Sequence, residues 1–228
     1  MSTFKSTYHS KIYRDFKALE ENAYREVVRF YEEREYDIKR LDFEEFFDLF
    51  IAYTDALFEI GSYRKYLLMV DYAIECSIKY NIKYLGQRDI FYHLLFRKAA
   101  SFYNTLAYAK AEHILRELIK INPKKEEVSL FLKKCLRKMD PALIRHTRAA
   151  GILFFFAAAV VTATEVLFVR PFASEYTAIV ELSRNLIFFL GCVILIAGVL
   201  IHHWQVELEV NQFIKAVKDE KKAKPGGY

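Results

Sequence analysis

Apolar residues recur every three or four positions through the first 140 residues and then run together almost unbroken. Early on, Ile12, Phe16, Leu19, Ala23, Val27 and Phe30 step at helical spacing, the pattern of an amphipathic helix that turns one face toward a core. Followed along the chain, this pattern predicts helices over about 6–36, 42–60, 62–81, 86–105, 107–121 and 124–138. The punctuation agrees with it. Gly61-Ser62, the stretch from Asn81 to Gly86, and Asn122-Pro123 carry turn chemistry, and proline suits the first position of a following helix. Asp140-Pro141 repeats the signal, with Asp140 as the expected cap of a helix that starts about two turns before the first apolar run.

From Ala149 to Val169 there is one charge in 21 residues, and from Leu186 to Trp204 no full charge in 19. At about 1.5 Å rise per residue each run is long enough for a hydrocarbon layer of roughly 30 Å, and Trp204 suits the headgroup belt. The chain is therefore expected to divide into a cytosolic helical domain (1–139), a transmembrane hairpin (140–204) and a basic amphipathic cytosolic tail (205–228). The spans fall at 149–169 and 186–204, with 170–185 as the outer connector. In the tail Val206, Val210, Phe213, Ile214 and Val217 share a helical face, so the second span should continue as helix. The predicted fold class is all-α: a stack of helical hairpins, about three helix pairs, followed by two transmembrane helices. Seven glycines and four prolines in 228 residues leave little material for a turn-rich sandwich or barrel.

Charge adds an orientation. The formal net charge is +5, and the excess sits beside the apolar runs, at Lys133, Lys134, Arg137, Lys138, Arg145 and Arg148, and again at Lys215, Lys218, Lys221, Lys222 and Lys224. That placement points to anionic lipid headgroups and away from nucleic acid, which would need a basic stripe on a soluble domain. The connector holds two acids and two bases, so the positive-inside rule puts both termini in the cytoplasm of a bacterial-type inner membrane. The first 22 residues contain no apolar core and do not read as a secretory signal.

Catalytic signatures are missing. No Walker loop, nucleophile elbow, HExxH or dinucleotide fingerprint occurs, and the expectation is a non-enzyme without cofactor or metal. Cys76, Cys135 and Cys192 are far apart and read as reduced, buried thiols. His202 and His203 are adjacent, about 100° apart on a helix, and read as interfacial anchors beside Trp204. Glu165 lies inside the first span, where an ionisable residue is a functional candidate; five residues before Arg170, it can also snorkel to the interface. Ala159 and Ala163 make a small-residue step in the first span, and Gly191 and Gly198 share a face in the second. Such faces serve contacts within one chain and between chains equally well, so homo-oligomerisation stays open.

Two segments, FDLFIAYTDALFEIGSYRKYLLMVDYAIECSIKYNI and LLFRKAASFYNTLAYAKAEHILRELIKINP, align Tyr63 with Tyr108 and Ala73 with Leu118. Both resemble tetratricopeptide repeats. Gly61, Tyr63 and Ala73 fill the family's turn and second-helix positions in the first, and Tyr108, Ala111 and Pro123 do so in the second. The departures are Tyr66 in place of a small Ala, Leu106 in place of the turn Gly, and a spacing near 45 residues where the family has 34. The resemblance implies a right-handed stack whose concave side binds a peptide or partner helix, lined by residues 42–60 and 86–105. Its candidates are Asp48, Ile51, Asp55, Phe58, Glu59, His93, Phe96, Arg97, Tyr103 and Asn104. His93, Arg97 and Asn104 hint at the carboxylate clamp of some family members, but Asp48 and Asp55 would repel a carboxylate, and an apolar or mixed-charge peptide is the expected occupant. The functional expectation is a membrane-anchored adaptor that holds a cytosolic protein partner. The alternative is a self-assembling membrane protein, a pore or a subunit of a transport or effector complex, with Glu165 and the Gly191/Gly198 face buried between chains and the helical domain as regulator.

Overall fold

The computed structural model describes residues 10–20, 22–139 and 141–223. The architecture is all-α apart from one two-residue antiparallel ladder. It forms two compact units, residues 1–132 and 133–228.

In the first unit α1 (Lys11–Lys17), α2 (Tyr24–Glu33) and α3 (Glu35–Ile38) replace the single helix expected over 6–36. The reason lies in the core. Phe16 and Phe30 meet edge to face with ring centroids 5.5 Å apart, whereas fourteen residues of straight helix would separate them by about 21 Å. The chain must turn back between them, and α1 starts with Ser10 accepting the Tyr13 N–H at 3.2 Å.

Next come α4 (Phe43–Glu59), α5 (Tyr63–Lys79), α6 (Ile90–Asn104), α7 (Tyr108–Ile121) and α8 (Glu126–Lys138), within a few residues of expectation except at the start of α6. There, strands β1 (Tyr84–Leu85) and β2 (Arg88–Asp89) pair Tyr84 with Asp89 and Leu85 with Arg88 around left-handed Gly86. Asp89 then caps α6 by accepting the Tyr92 N–H at 3.0 Å. α4 packs on α5, α5 on α6 and α6 on α7, and α2 lies against α4. Tyr66, the bulky departure from the repeat pattern, is fully buried and donates to the Leu94 carbonyl of α6 at 3.3 Å. The ring fills the space that a small residue would leave between helices.

The three turns from α4 to α7 share one construction. Ser62 N–H donates to the Leu57 carbonyl and Gly61 N–H to that of Phe58; Ile82 and Asn81 do the same to Ser77 and Ile78, and Ala107 and Leu106 to Phe102 and Tyr103. Each is a Schellman closure, and the residues at the reversal, Gly61, Asn81 and Leu106, all have positive φ.

The second unit contains the end of α8, then α9 (Ala142–Thr164), a π-helical turn (Glu165–Val169), α10 (Arg170–Phe172), a 3₁₀ turn (Ser174–Tyr176) and α11 (Thr177–Ala223). Asp140, the expected cap, lies outside the described residues; Pro141 occupies the N-cap position of α9. The stretch 170–185, read as a connector, is mostly helical, because α11 already starts at Thr177 and runs unbroken through the apolar stretch into the tail. At 47 residues it is about 70 Å long. Both helices are long and apolar enough to cross a membrane, with only 11% and 17% of their apolar windows buried.

Candidate functional site

The residues expected to line a groove divide between two places and the core. Ile51 is a core residue, 3% exposed. Asp48 turns toward α1, accepting from Tyr13 Oη at 2.7 Å and pairing with Lys17 Nζ at 2.6 Å. Asp55, Phe58, Glu59, His93 and Arg97 do come together across α4 and α6. His93 Nε2 lies 2.9 Å from Asp55 Oδ1, Arg97 Nη1 3.5 Å from the same oxygen, and Arg97 Nη2 2.7 Å from Glu59 Oε1. The Arg97 guanidinium covers the Phe58 ring at 4.6 Å, and Arg88 approaches Asp55 at 3.9 Å. Every charge here has a partner, so His93 and Arg97 cannot clamp a carboxylate without abandoning Asp55 and Glu59. Phe96 and Tyr103 are covered by Phe131 of α8, at centroid distances of 5.7 and 5.4 Å. Asn104 is exposed and lines a shallow hollow between the Gly61 and Leu106 turns.

A larger cavity, about 970 Å³, opens elsewhere in this unit, between α2–α3, α4 and α5. None of the expected groove residues line it. Its floor is aromatic: Tyr31 stacks on Tyr53 at 4.1 Å, Phe46 on Phe50 at 5.7 Å, and Phe43 on Tyr80 at 3.7 Å. Burial pushes the hydroxyls of Tyr31 and Tyr53 well above the usual phenol value, and the hydrogen bond with Cys76 raises Tyr72 first, then burial. One wall is α5, where Tyr66, Val70, Ala73 and Ser77 are spent on the core. Leu68 and Tyr72 instead face the cavity, 73% and 50% exposed. Lys65 bonds Glu32 at 2.5 Å and Lys39 bonds Glu35 at 2.6 Å along the rim. Glu75 and Lys79, also on the α5 wall, enter no ion pair among the described residues. A sequence signal for this cleft exists: α5 carries a second apolar pair, Leu68 and Tyr72, outside the stripe that builds the core.

In the second unit α9 and α11 meet along a seam with a seven-residue period. Ile144, Gly151, Ala158 and Glu165 are its buried positions on the first strand of the hairpin, and Gly191 and Gly198 on the second. A Cβ on Gly198 would fall 2.7 Å from Thr147 Cβ, one on Gly191 2.9 Å from the Phe155 ring, and one on Gly151 2.7 Å from Leu195. All three glycines thus serve a contact inside one chain. Ala159 and Ala163 are exposed instead, since they fall one and five positions beyond the seam residue Ala158.

Glu165 is fully buried, bonded by Arg170 Nη2 and Arg184 Nη1, each at 2.8 Å. It does not snorkel. Residues five apart sit about 140° apart around an α-helix, yet Arg170 reaches Glu165 because the Arg170 N–H bonds the Glu165 carbonyl in a π turn. Pro171, without an N–H, follows directly. Arg170 also approaches Glu181 at 3.5 Å, making a neutral quartet of two acids and two arginines.

His202 is buried with Nε2 unpartnered, while His203 and Trp204 are exposed. The two imidazoles therefore present no common site. Glu207 is held by Lys133 and by Arg137, the latter at 2.9 Å. Cys76 and Cys135 are buried thiols, whereas Cys192 is half-buried. Among the described residues no three His, Cys, Asp or Glu side chains gather as a metal site. No protein-family model matches the chain, and the comparisons with curated proteins and with solved structures found no match either.

Proposed function

We propose that this protein is a membrane-anchored adaptor. α9 and α11 cross a bacterial-type inner membrane as a hairpin with both termini cytoplasmic, and the helical domain ahead of them holds a protein partner at the lipid surface. The observation that carries the reading is the apolar exterior of the helix pair. Leu153, Phe156, Phe188, Phe189, Ile196 and Leu200 are exposed, while the buried seam beside them is made of Gly151, Ala158, Gly191, Gly198 and one neutralised carboxylate. Each large apolar side chain left in water forgoes about 1.5–3 kcal/mol of burial free energy; hydrocarbon removes that loss. The core helix of a soluble protein is mostly buried, which this pair is not.

Orientation rests on the lysines and arginines that flank the apolar runs at their non-hairpin ends, where anionic headgroups would meet them. The resemblance to tetratricopeptide repeats gains support from the matching closures at Gly61 and Leu106 and from the sequential packing of α4 to α7. Self-assembly of the hairpin would have to use another face, because Glu165, Gly191 and Gly198 are occupied inside one chain.

Protease protection tests the reading. In intact spheroplasts the domain should resist added protease and become digestible once the membrane is opened. Digestion of residues 10–132 from outside sealed spheroplasts would overturn it.

A further inference from the structure

The aromatic cleft has a shape and a charge pattern that define its occupant. Resting on the adaptor reading, we infer that it binds a partner's amphipathic α-helix, laid alongside α5 with an uncharged apolar stripe on the aromatic floor and one base and one acid a turn apart on its flank.

The α5 wall supplies the first argument. Leu68, Tyr72, Glu75 and Lys79 all line the cavity at spacings of four, three and four residues, so they form one ridge along the helix. From Lys65 to Lys79 the wall is about 21 Å long, enough for about four turns of a helix running beside it. Leu68 and Tyr72 expose apolar surface on that ridge, which is what a docking helix covers in helix-in-groove recognition. The floor is preformed: Tyr31 stacks on Tyr53 and Phe46 on Phe50, and a tilted Tyr31–Phe50 contact joins the two pairs, so little side-chain ordering remains to be done on binding.

Charge complementarity supplies the second argument. Three glutamates and three lysines line the cleft. Glu32 and Glu35 are taken by Lys65 and Lys39, whereas Glu75 and Lys79, the latter 5.6 Å from the centre of the Tyr80 ring, are in no ion pair among the described residues and can meet charges from outside. An occupant complementary to that pair carries a base opposite Glu75 and an acid opposite Lys79, one turn apart. A polyanion meets three carboxylates and no net positive charge, so nucleic acid and anionic lipid do not fit. A cavity of about 970 Å³ reaches the top of the small-molecule range of about 300–1,000 Å³ and accommodates a row of large side chains.

The test uses the full chain in lipid nanodiscs and a fluorescent peptide probe about four turns long, with Leu and Phe on one face and an Arg and a Glu four residues apart on its flank. Fluorescence anisotropy should give saturable binding, weakened about tenfold or more by Leu68→Asp. The double variant Glu75→Lys/Lys79→Glu should prefer the probe with Arg and Glu exchanged, a preference that loss of folding cannot produce. Equal binding of a scrambled, non-amphipathic probe, indifference to Leu68→Asp, or no change of preference on charge exchange would each overturn the inference. Photo-crosslinkers placed at position 68 in the cleft and at the exposed position 59 on the α4/α6 face separate this failure from failure of the adaptor reading. Capture of a partner at 59 alone sinks the cleft and spares the adaptor.

Discussion

Gly61 and Leu106 close the α4–α5 and α6–α7 turns in the same left-handed conformation, at φ +76° and +62°. Both N–H groups and the N–H groups after them bond the same carbonyls relative to the preceding helix. Glycine takes that conformation freely, whereas a Cβ costs about 1–2 kcal/mol. The Leu106 side chain is 72% exposed and recovers little of that by packing. Leu106→Gly should therefore stabilise the domain by about 1 kcal/mol, the gain being trimmed by the extra freedom of glycine in the unfolded chain. Urea unfolding followed by circular dichroism reads the change in midpoint, and Gly61→Leu should shift it the other way. A neutral Leu106→Gly would mean that the turn is not left-handed.

Removing the carboxylate of Glu165 leaves Arg170 and Arg184 with only Glu181, 3.5 Å from Arg170, to offset their charges. Breaking a buried ion pair from one side typically costs about 3–5 kcal/mol, reduced here because both arginines retain some solvent access. Glu165→Gln should lower the resistance of the hairpin to dodecyl sulfate titration in micelles, and Arg184→Gln added to it should restore part of the loss. If oligomer size changes while hairpin resistance does not, Glu165 works between chains and the self-assembling alternative gains.

The seam makes a separate prediction at Gly198. Its missing side chain admits Thr147, whose Cβ would come within 2.7 Å of any added Cβ. Gly198→Leu should separate α9 from α11 at this level, and Gly198→Ala combined with Thr147→Gly should pack better than Gly198→Ala alone. Distances between spin labels at the exposed positions Ile152 and Ile196 would report the separation. Ala163→Leu, on the exposed surface, should leave them unchanged.

How much of this was legible follows from the kind of signal each feature leaves. The positions of α4, α5, α7 and α8 could be read because their periodic stripes are long and their turns contain Gly61, Asn81 or Pro123. The break between α1 and α2 could not: the apolar step from Phe16 to Phe30 suits a straight helix, and only the demand that both rings enter one core bends the chain. The seam between α9 and α11 was half legible. Gly191 and Gly198 announce a close approach, but every neighbour of Ala159 is apolar too, so composition could not separate seam from exterior. The pairing of Glu165 depends on a π turn, which has no sequence period of its own. The α4/α6 face came from a resemblance that assigns positions, not charges, and Asp55 meeting His93 and Arg97 became visible only in three dimensions. The cleft was missed because aromatics at helical spacing, such as Phe43, Phe46 and Tyr80, carry no mark in the sequence that separates a cavity floor from core.

Alkaline pH gives the last prediction. Tyr31, Tyr53 and Tyr66 are buried, and burial raises their hydroxyls above the ordinary value near 10; Tyr92 is pushed up to about 12 by the same cause. A group whose folded-state value is raised favours the fold below its unfolded value, and that stability drains as pH climbs from about 10 toward the folded value. Residues 10–132 should consequently unfold between about pH 10 and 12, with phenolate absorbance rising together with loss of helical signal, not before it. The hairpin has no such tyrosines in its seam and should stay in lipid through the same range. Washing membranes at about pH 11 should then leave the protein in the pellet with its helical domain opened to protease. Release into the supernatant would show that the domain, not the helix pair, had been holding the chain to the membrane.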